Sequence, residues 1–153
     1  MREERHDVPQ VFLREEGRGR VVYFPWDVDR TFWEVLSVDH LKLMRNAVLW
    51  ATNEEATVSV AGPGVLDVTV WRQRESLTVH LVNLTNPMMM KGPVRELVPV
   101  GAQRVRLRVP DGLRAKQVRL LVAGTTPEAV QSGEWLEATV PSITAHEVVA
   151  VDL

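Results

Sequence analysis

At 153 residues, with 45% hydrophobic and 25% charged side chains, the chain has the balance of an ordinary folded protein, long enough for one good hydrophobic core or a small core with an appendage. A formal net charge of −2 provides no global field to draw it onto nucleic acid or an anionic membrane, so neither is expected as a partner. The absence of cysteine removes disulfides, thiolate nucleophiles and thiolate-bound metals together.

The opening MREERHDVPQVFLREEG has no apolar run of signal-peptide length, and no segment reaches the ~20 apolar residues of a membrane span, so a cytoplasmic location is expected. From Val8 to Val22 two apolar segments flank REEGRGR, with Gly17 and Gly19 supplying the positive φ of a hairpin turn. Val21 to Phe24 is continuously apolar, which predicts a strand covered on both faces and ended by Pro25.

Thr31 and Glu34 have the T-x-x-E spacing of a capping box, predicting a short helical turn over residues 32–36. Ser37 or Asp39 then caps a longer helix through about Thr52. There Leu41, Met44, Val48 and Ala51 recur at helical spacing, and Ala47 and Trp50 widen the apolar face, so the helix wants a partner.

After TNEEA the periodicity changes to two. LDVTVW, LTVHLVN, RVRLRV and QVRLLV alternate as half-buried strands do, and ATVSV, EWLEATV and ITAHEVVAVDL read as further strands. The expectation is a mainly β chain: an antiparallel β-sandwich of about seven strands over residues 55–153, preceded by a hairpin and helix over residues 1–54. Fifty residues with two strands and one strongly apolar helix cannot complete an α/β layer alone.

GRGRVVYFPWDVDRTFW followed by LKLMRNAVLWA resembles the closing strand, loop and helix of the glutamine-amidotransferase-like, flavodoxin-type domain of multidomain glycoside hydrolases, the β-galactosidase trimerisation domain. A more distant likeness is to the end of the trehalose-utilisation family. HLVNLTNP, GPVRELVPVG and PSITAHEVVAVDL are similar to the C-terminal domain of the same enzymes, nearest to hypothetical glycosyl hydrolase family 6, with family-42 β-galactosidases as relatives. The resemblance implies a flavodoxin-like α/β remnant, a catalytic barrel and most of the α/β layer lying upstream, and contacts with other domains of the parent glycosidase and with further copies of the chain. It implies a non-catalytic C-terminal structural and oligomerisation module in which this chain holds no catalytic, cofactor-binding or metal-binding residue.

Several side chains are candidates in their own right. Asp27 and Asp29 have a spacing that could suit a catalytic carboxylate pair, which needs about 5 to 9.5 Å across a glycosidic bond. Alternatively they hold loop amides and pair with Arg30 or another cation, or, with Trp26 and Arg30, they meet a neighbouring barrel from the carboxyl end of the sheet. Met88, Met89 and Met90 in NPMMMKGP read either as a packing contact or as a lid on the sandwich.

Arg104, Arg106 and Arg108 share one strand face, with Arg119 expected to extend it, and a face solvated and paired with acids is the stronger reading than polymer binding. Trp71 and Trp135 define an alternative function, a carbohydrate-binding module in which exposed indoles stack on sugar. His6, His40, His80 and His146 lack ligand spacing, no cofactor is expected, and Asn83-Leu84-Thr85 is read as a chance sequon.

Overall fold

A computed structural model of the chain describes residues 10–35, 37–85 and 96–153, and it divides into two compact units, Met1–Ala56 and Thr57–Leu153. In the first unit β1 (Phe12–Glu16) and β2 (Gly19–Tyr23) form an antiparallel hairpin turning at Gly17, whose φ of 59° suits a residue without a Cβ. Two helices follow, α1 (Val28–Val35) and α2 (Val38–Thr52), with α2 packed on both β2 and α1.

Helix α1 begins four residues before the predicted turn. The Asp27 carbonyl accepts the first intrahelical bond, from the Thr31 amide at 2.9 Å, and the Thr31 hydroxyl donates to the same carbonyl at 2.8 Å. Glu34 is held by Arg30 at 2.8 Å. Thr31 and Glu34 are therefore mid-helix residues, and the capping-box expectation is corrected. Ser37 occupies the N-cap of α2 without a side-chain bond, and Asn53 closes its other end in the left-handed region, φ 54°, its amide bonded to the Leu49 carbonyl.

Arg20 ties the hairpin to that C-terminal turn. Its guanidinium donates to the Trp50 carbonyl (3.1 Å) and to Asn53 Oδ1 (3.0 Å), lies 5.4 Å from the Trp50 ring, and faces Glu15 at 3.2 Å. A cation at a helix C-terminus satisfies open carbonyls and complements the dipole.

The expectation that the Val21 strand is covered on both faces is not met. Val22 and Phe24 are half-buried, while Val21 and Tyr23 are more than half exposed, because among the described residues only α2 packs on this strand.

The second unit is the antiparallel sandwich. Its strands are β3 (Val58–Ala61), β4 (Leu66–Arg72), β5 (Ser76–Asn83), β6 (Gln103–Arg108), β7 (Gln117–Leu120), β8 (Ala129–Ser132), β9 (Trp135–Val140) and β10 (His146–Asp152). One sheet has the order β4-β5-β10-β7 and the other β3-β6-β9-β8. Seven of these strands are the alternating segments read in the sequence, and β8 is the eighth.

Leu77, Val79 and Leu81 of β5 and Val149 and Val151 of β10 share a core with Val105 and Leu107 of β6 and Leu136, Ala138 and Val140 of β9. The alternation of buried and exposed positions along β5, β6 and β9 puts polar residues outward, as period-two strands require.

Three polar side chains brace the crossovers. Gln103, 1% exposed, donates through Nε2 to the Pro63 and Gly101 carbonyls, and a Cβ on Gly62 would stand 2.3 Å from its Oε1, so glycine is required there. Asn83 donates through Nδ2 to the carbonyls of Val98, Thr144 and Ile143 and accepts from the Thr85 amide. Glu147, also buried, accepts the amides of Val122, Ala123 and Val148.

Because the core lies between the sheets, truncations of the same side chain should differ by unit. Leu81→Ala should lower the unfolding free energy by about 2–5 kcal/mol, and Leu41→Ala by under about 1 kcal/mol, in urea denaturation followed by tryptophan fluorescence. Equal losses would contradict this placement of the core.

Candidate functional site

The loop from Phe24 to Asp27 is positioned by its aromatic residues. Trp26 is half-buried, donates through Nε1 to the Gln10 carbonyl at 2.9 Å, and stands edge-on to Phe24 (6.2 Å between ring centroids) and to His40 (5.5 Å). Beside it, Nδ1 of His40 is buried with no hydrogen-bond partner among the described residues. Such an atom forfeits its solvation without compensation.

Asp27 and Asp29 are exposed, one at the N-cap position of α1 and the other in its first turn, where a carboxylate complements the helix dipole. Arg30 is engaged by Glu34 one turn on, so the pairing of Arg30 with Asp27 or Asp29 is replaced by an i,i+4 ion pair. Met88, Met89 and Met90 lie outside the described residues.

Two hollows sit within single units. In the first unit Val22, Phe24, Val28, Met44, Ala47 and Val48 line an apolar hollow of about 360 Å³ between β2 and the helices. In the sandwich, Val70, Leu77, Leu107 and Val109 line one of about 410 Å³ at one end of the two sheets, rimmed by Arg72, Arg108 and Asp111. Asp111 contributes a carboxylate to that rim. Among the described residues no group of three or more His, Asp or Glu is arranged to hold a metal ion, and no helix is long and apolar enough to cross a membrane.

Two of the three arginines on the β6 face meet acids. Arg108 bonds Glu134 at 2.8 Å, and Arg106 faces Glu137 at 4.0 Å across the β6–β9 pair. Arg119 does not extend it: β7 belongs to the other sheet, where Arg119 pairs with Asp152 at 3.1 Å. The two candidate indoles also separate. The Arg106 guanidinium lies 3.6 Å from the centre of the Trp135 ring and covers it, whereas Trp71 on β4 is 61% exposed.

Sequence reasoning did not single out Arg20, Gln103 or Glu147. The available signal was a charged or amide side chain at an inward position of an alternating strand, as Gln103 and Glu147 are. Asn83 and Thr85 were read only as a sequon, yet the Asn83 amide serves three carbonyls and the Thr85 hydroxyl accepts the Val65 amide at 2.8 Å.

What the fold defines is a mainly β chain built on an antiparallel sandwich. The same fold occurs in a much longer solved chain, alpha-L-fucosidase isoenzyme 2 from Paenibacillus thiaminolyticus, a glycoside hydrolase, with a TM-score of 0.70 and 22% sequence identity. The match covers 92% of this chain, so it runs through both units, and 21% of the fucosidase chain. At that identity the likeness is one of fold. No protein-family model and no curated protein matches the sequence.

Glu147→Ala would leave three amides without their acceptor, and it should cost about 3 kcal/mol or more in urea denaturation. Arg20→Ala should instead speed amide hydrogen exchange in the last turn of α2 with the sandwich unaffected. Loss of protection in both units together would contradict a local role for Arg20.

Proposed function

We propose that the chain is a non-catalytic structural and oligomerisation module from the C-terminal region of a carbohydrate-processing glycoside hydrolase. In this reading the first unit is the end of an amidotransferase-like trimerisation domain. The observation that carries it is the unfilled interior of that unit. Among its described residues Val28 alone is buried, at 7% exposure, and no residue of α2 is.

The hairpin exposes Phe12, Leu13, Val21 and Tyr23, and the helices expose Trp33, Leu41 and Val48, each between 46% and 60%. Exposed apolar side chains in this number are what a contact surface uses. At about 25 cal/mol per Å², covering these side chains would add to what a hairpin and two helices obtain from one another. The likeness to part of a longer fucosidase chain supports the parentage: there, too, this fold is a fraction of the whole.

The natural partners are the remaining domains of the parent and a second copy of the chain. The exposed carboxylates of Asp27 and Asp29, beside Trp26 and Arg30, are what the loop offers a neighbour, and Met88, Met89 and Met90 belong to the proposed contact set.

The isolated chain should self-associate, giving a light-scattering mass of at least twice the monomer that falls on dilution, with binding of a hydrophobic-surface dye. The pair Leu41→Lys and Val48→Glu should return it to monomer with the sandwich melting unchanged. Monomer at every concentration without dye binding would overturn the assembly reading, and hydrolysis of aryl glycosides by the purified chain would overturn the non-catalytic one.

A further inference from the structure

The outward face of the sheet β4-β5-β10-β7 carries the exposed Trp71 and can be read row by row from its register. Directly opposite Trp71 is Thr78, then Ala150, then Arg119; one row along stand Thr69, His80 and Val148. Side chains directly opposite have Cβ atoms about 5 Å apart and diagonal neighbours about 7–8 Å, so Thr69, Thr78 and His80 all border the indole. Thr78 Oγ1 and His80 Nε2 lie 3.3 Å apart, within hydrogen-bond reach, which fixes the orientation of both groups.

Beyond them Ala150, only 6% exposed, lies between Thr78 and Arg119, and the Arg119–Asp152 ion pair stands on its far side, across about 14 Å of sheet at three strand spacings. Among the described residues Trp71 lies on an edge strand, with no further strand outside it.

The composition of this surface selects its ligand. Next to the indole stand the hydroxyls of Thr69 and Thr78 and the imidazole of His80, all able to donate and accept, and the row on its other side holds Gln73 and Ser76, bonded to each other at 2.9 Å. A partner protein would be met by a broader apolar patch than one indole among polar groups. A nucleic acid would be met by unpaired cations, and Arg119 is held by Asp152. An apolar ring face beside hydroxyl and imidazole groups, with no net charge, matches a sugar ring, which presents C–H bonds on one side and hydroxyls around its edge.

We propose that Trp71, bordered by Thr69, Thr78 and His80, is a binding platform for a neutral oligosaccharide on the outer face of the sandwich. The site is independent of the self-association assigned to the first unit.

The test is a titration of the full chain with neutral gluco-, galacto-, manno-, xylo- and fuco-oligosaccharides, read by isothermal calorimetry and tryptophan fluorescence. At least one should give a saturable signal with Kd about 1 mM or tighter. Trp71→Ala should weaken that ligand about tenfold or more and Thr78→Val severalfold, while Trp71→Tyr keeps part of the affinity, with the thermal midpoint unchanged in the two Trp71 variants because that side chain is exposed.

Trp33→Ala, in the first unit, should leave binding unaltered. Failure of every oligosaccharide to saturate up to about 10 mM, or binding that survives Trp71→Ala, would overturn the proposal. Light scattering of Trp71→Ala should still show self-association, so failure of the sugar site and failure of the module reading give different results.

Discussion

Val79, Val149 and Val151 of one sheet and Val105, Leu107 and Val140 of the other lie in a single core, none more than 2% exposed, and the rest of the second unit takes its geometry from that layer. Burial of valine and leucine from both sheets is the main favourable term, and it fixes strand register because a slip by one residue would turn the apolar set outward. Register in turn decides which polar side chains meet on the outer faces. It brings Arg106 opposite Glu137, Trp71 opposite Thr78 and Thr69 opposite His80. The crossovers follow from the same requirement: Gln103 and Asn83 reach loop carbonyls from strand ends because backbone groups at the rim of a close-packed layer still need partners.

The first unit obeys the opposite condition. Its elements are well formed locally, by the N-cap carbonyl of Asp27, the Arg30–Glu34 pair and the Asn53 cap, but they enclose almost nothing. Arg20 supplies polar fastening between hairpin and helix, and such contacts are worth about 1 kcal/mol each, well short of a buried apolar layer. Local order without a core leaves the apolar hollow beside Val22 and Met44 and the exposed apolar side chains on which the proposed contact surface rests.

Most of this architecture was legible in the amino-acid order. Alternation in LDVTVW, LTVHLVN and RVRLRV named its strands because one face of each is core and the other solvent. β8 was not legible: in AVQS both Ala129 and Val130 are exposed while the half-buried Gln131 bonds the Ala115 amide, so the pattern that betrays a strand is absent. The start of α1 was hidden by two aspartates that read as loop, although Asp27 was in fact its cap. Val21 to Phe24 read as a doubly covered strand because an apolar run records what a segment can bury, and the chain described here supplies only one of the two covers. Arg119 was placed with Arg104 by proximity in sequence, but the connection between β6 and β7 changes sheets.

Trp71 and Trp135 show most plainly what sequence pattern leaves open. Both are indoles on alternating strands, and nothing in LDVTVW or EWLEATV distinguishes their fates. Trp135 sits on β9, flanked by β6 on one side and β8 on the other, so an arginine one register step away on β6 can lie flat on its ring. Trp71 sits on β4, which among the described residues has a neighbour on one side only, and it has a threonine opposite, too short to cover an indole. Edge position is a property of topology, set by long-range pairing, and an edge strand normally hides or charges its outward groups. Keeping a tryptophan there exposes apolar area that burial elsewhere would have used, and the hydrogen-bonding groups of Thr69, Thr78 and His80 gathered around it are what give that exposure a chemical purpose.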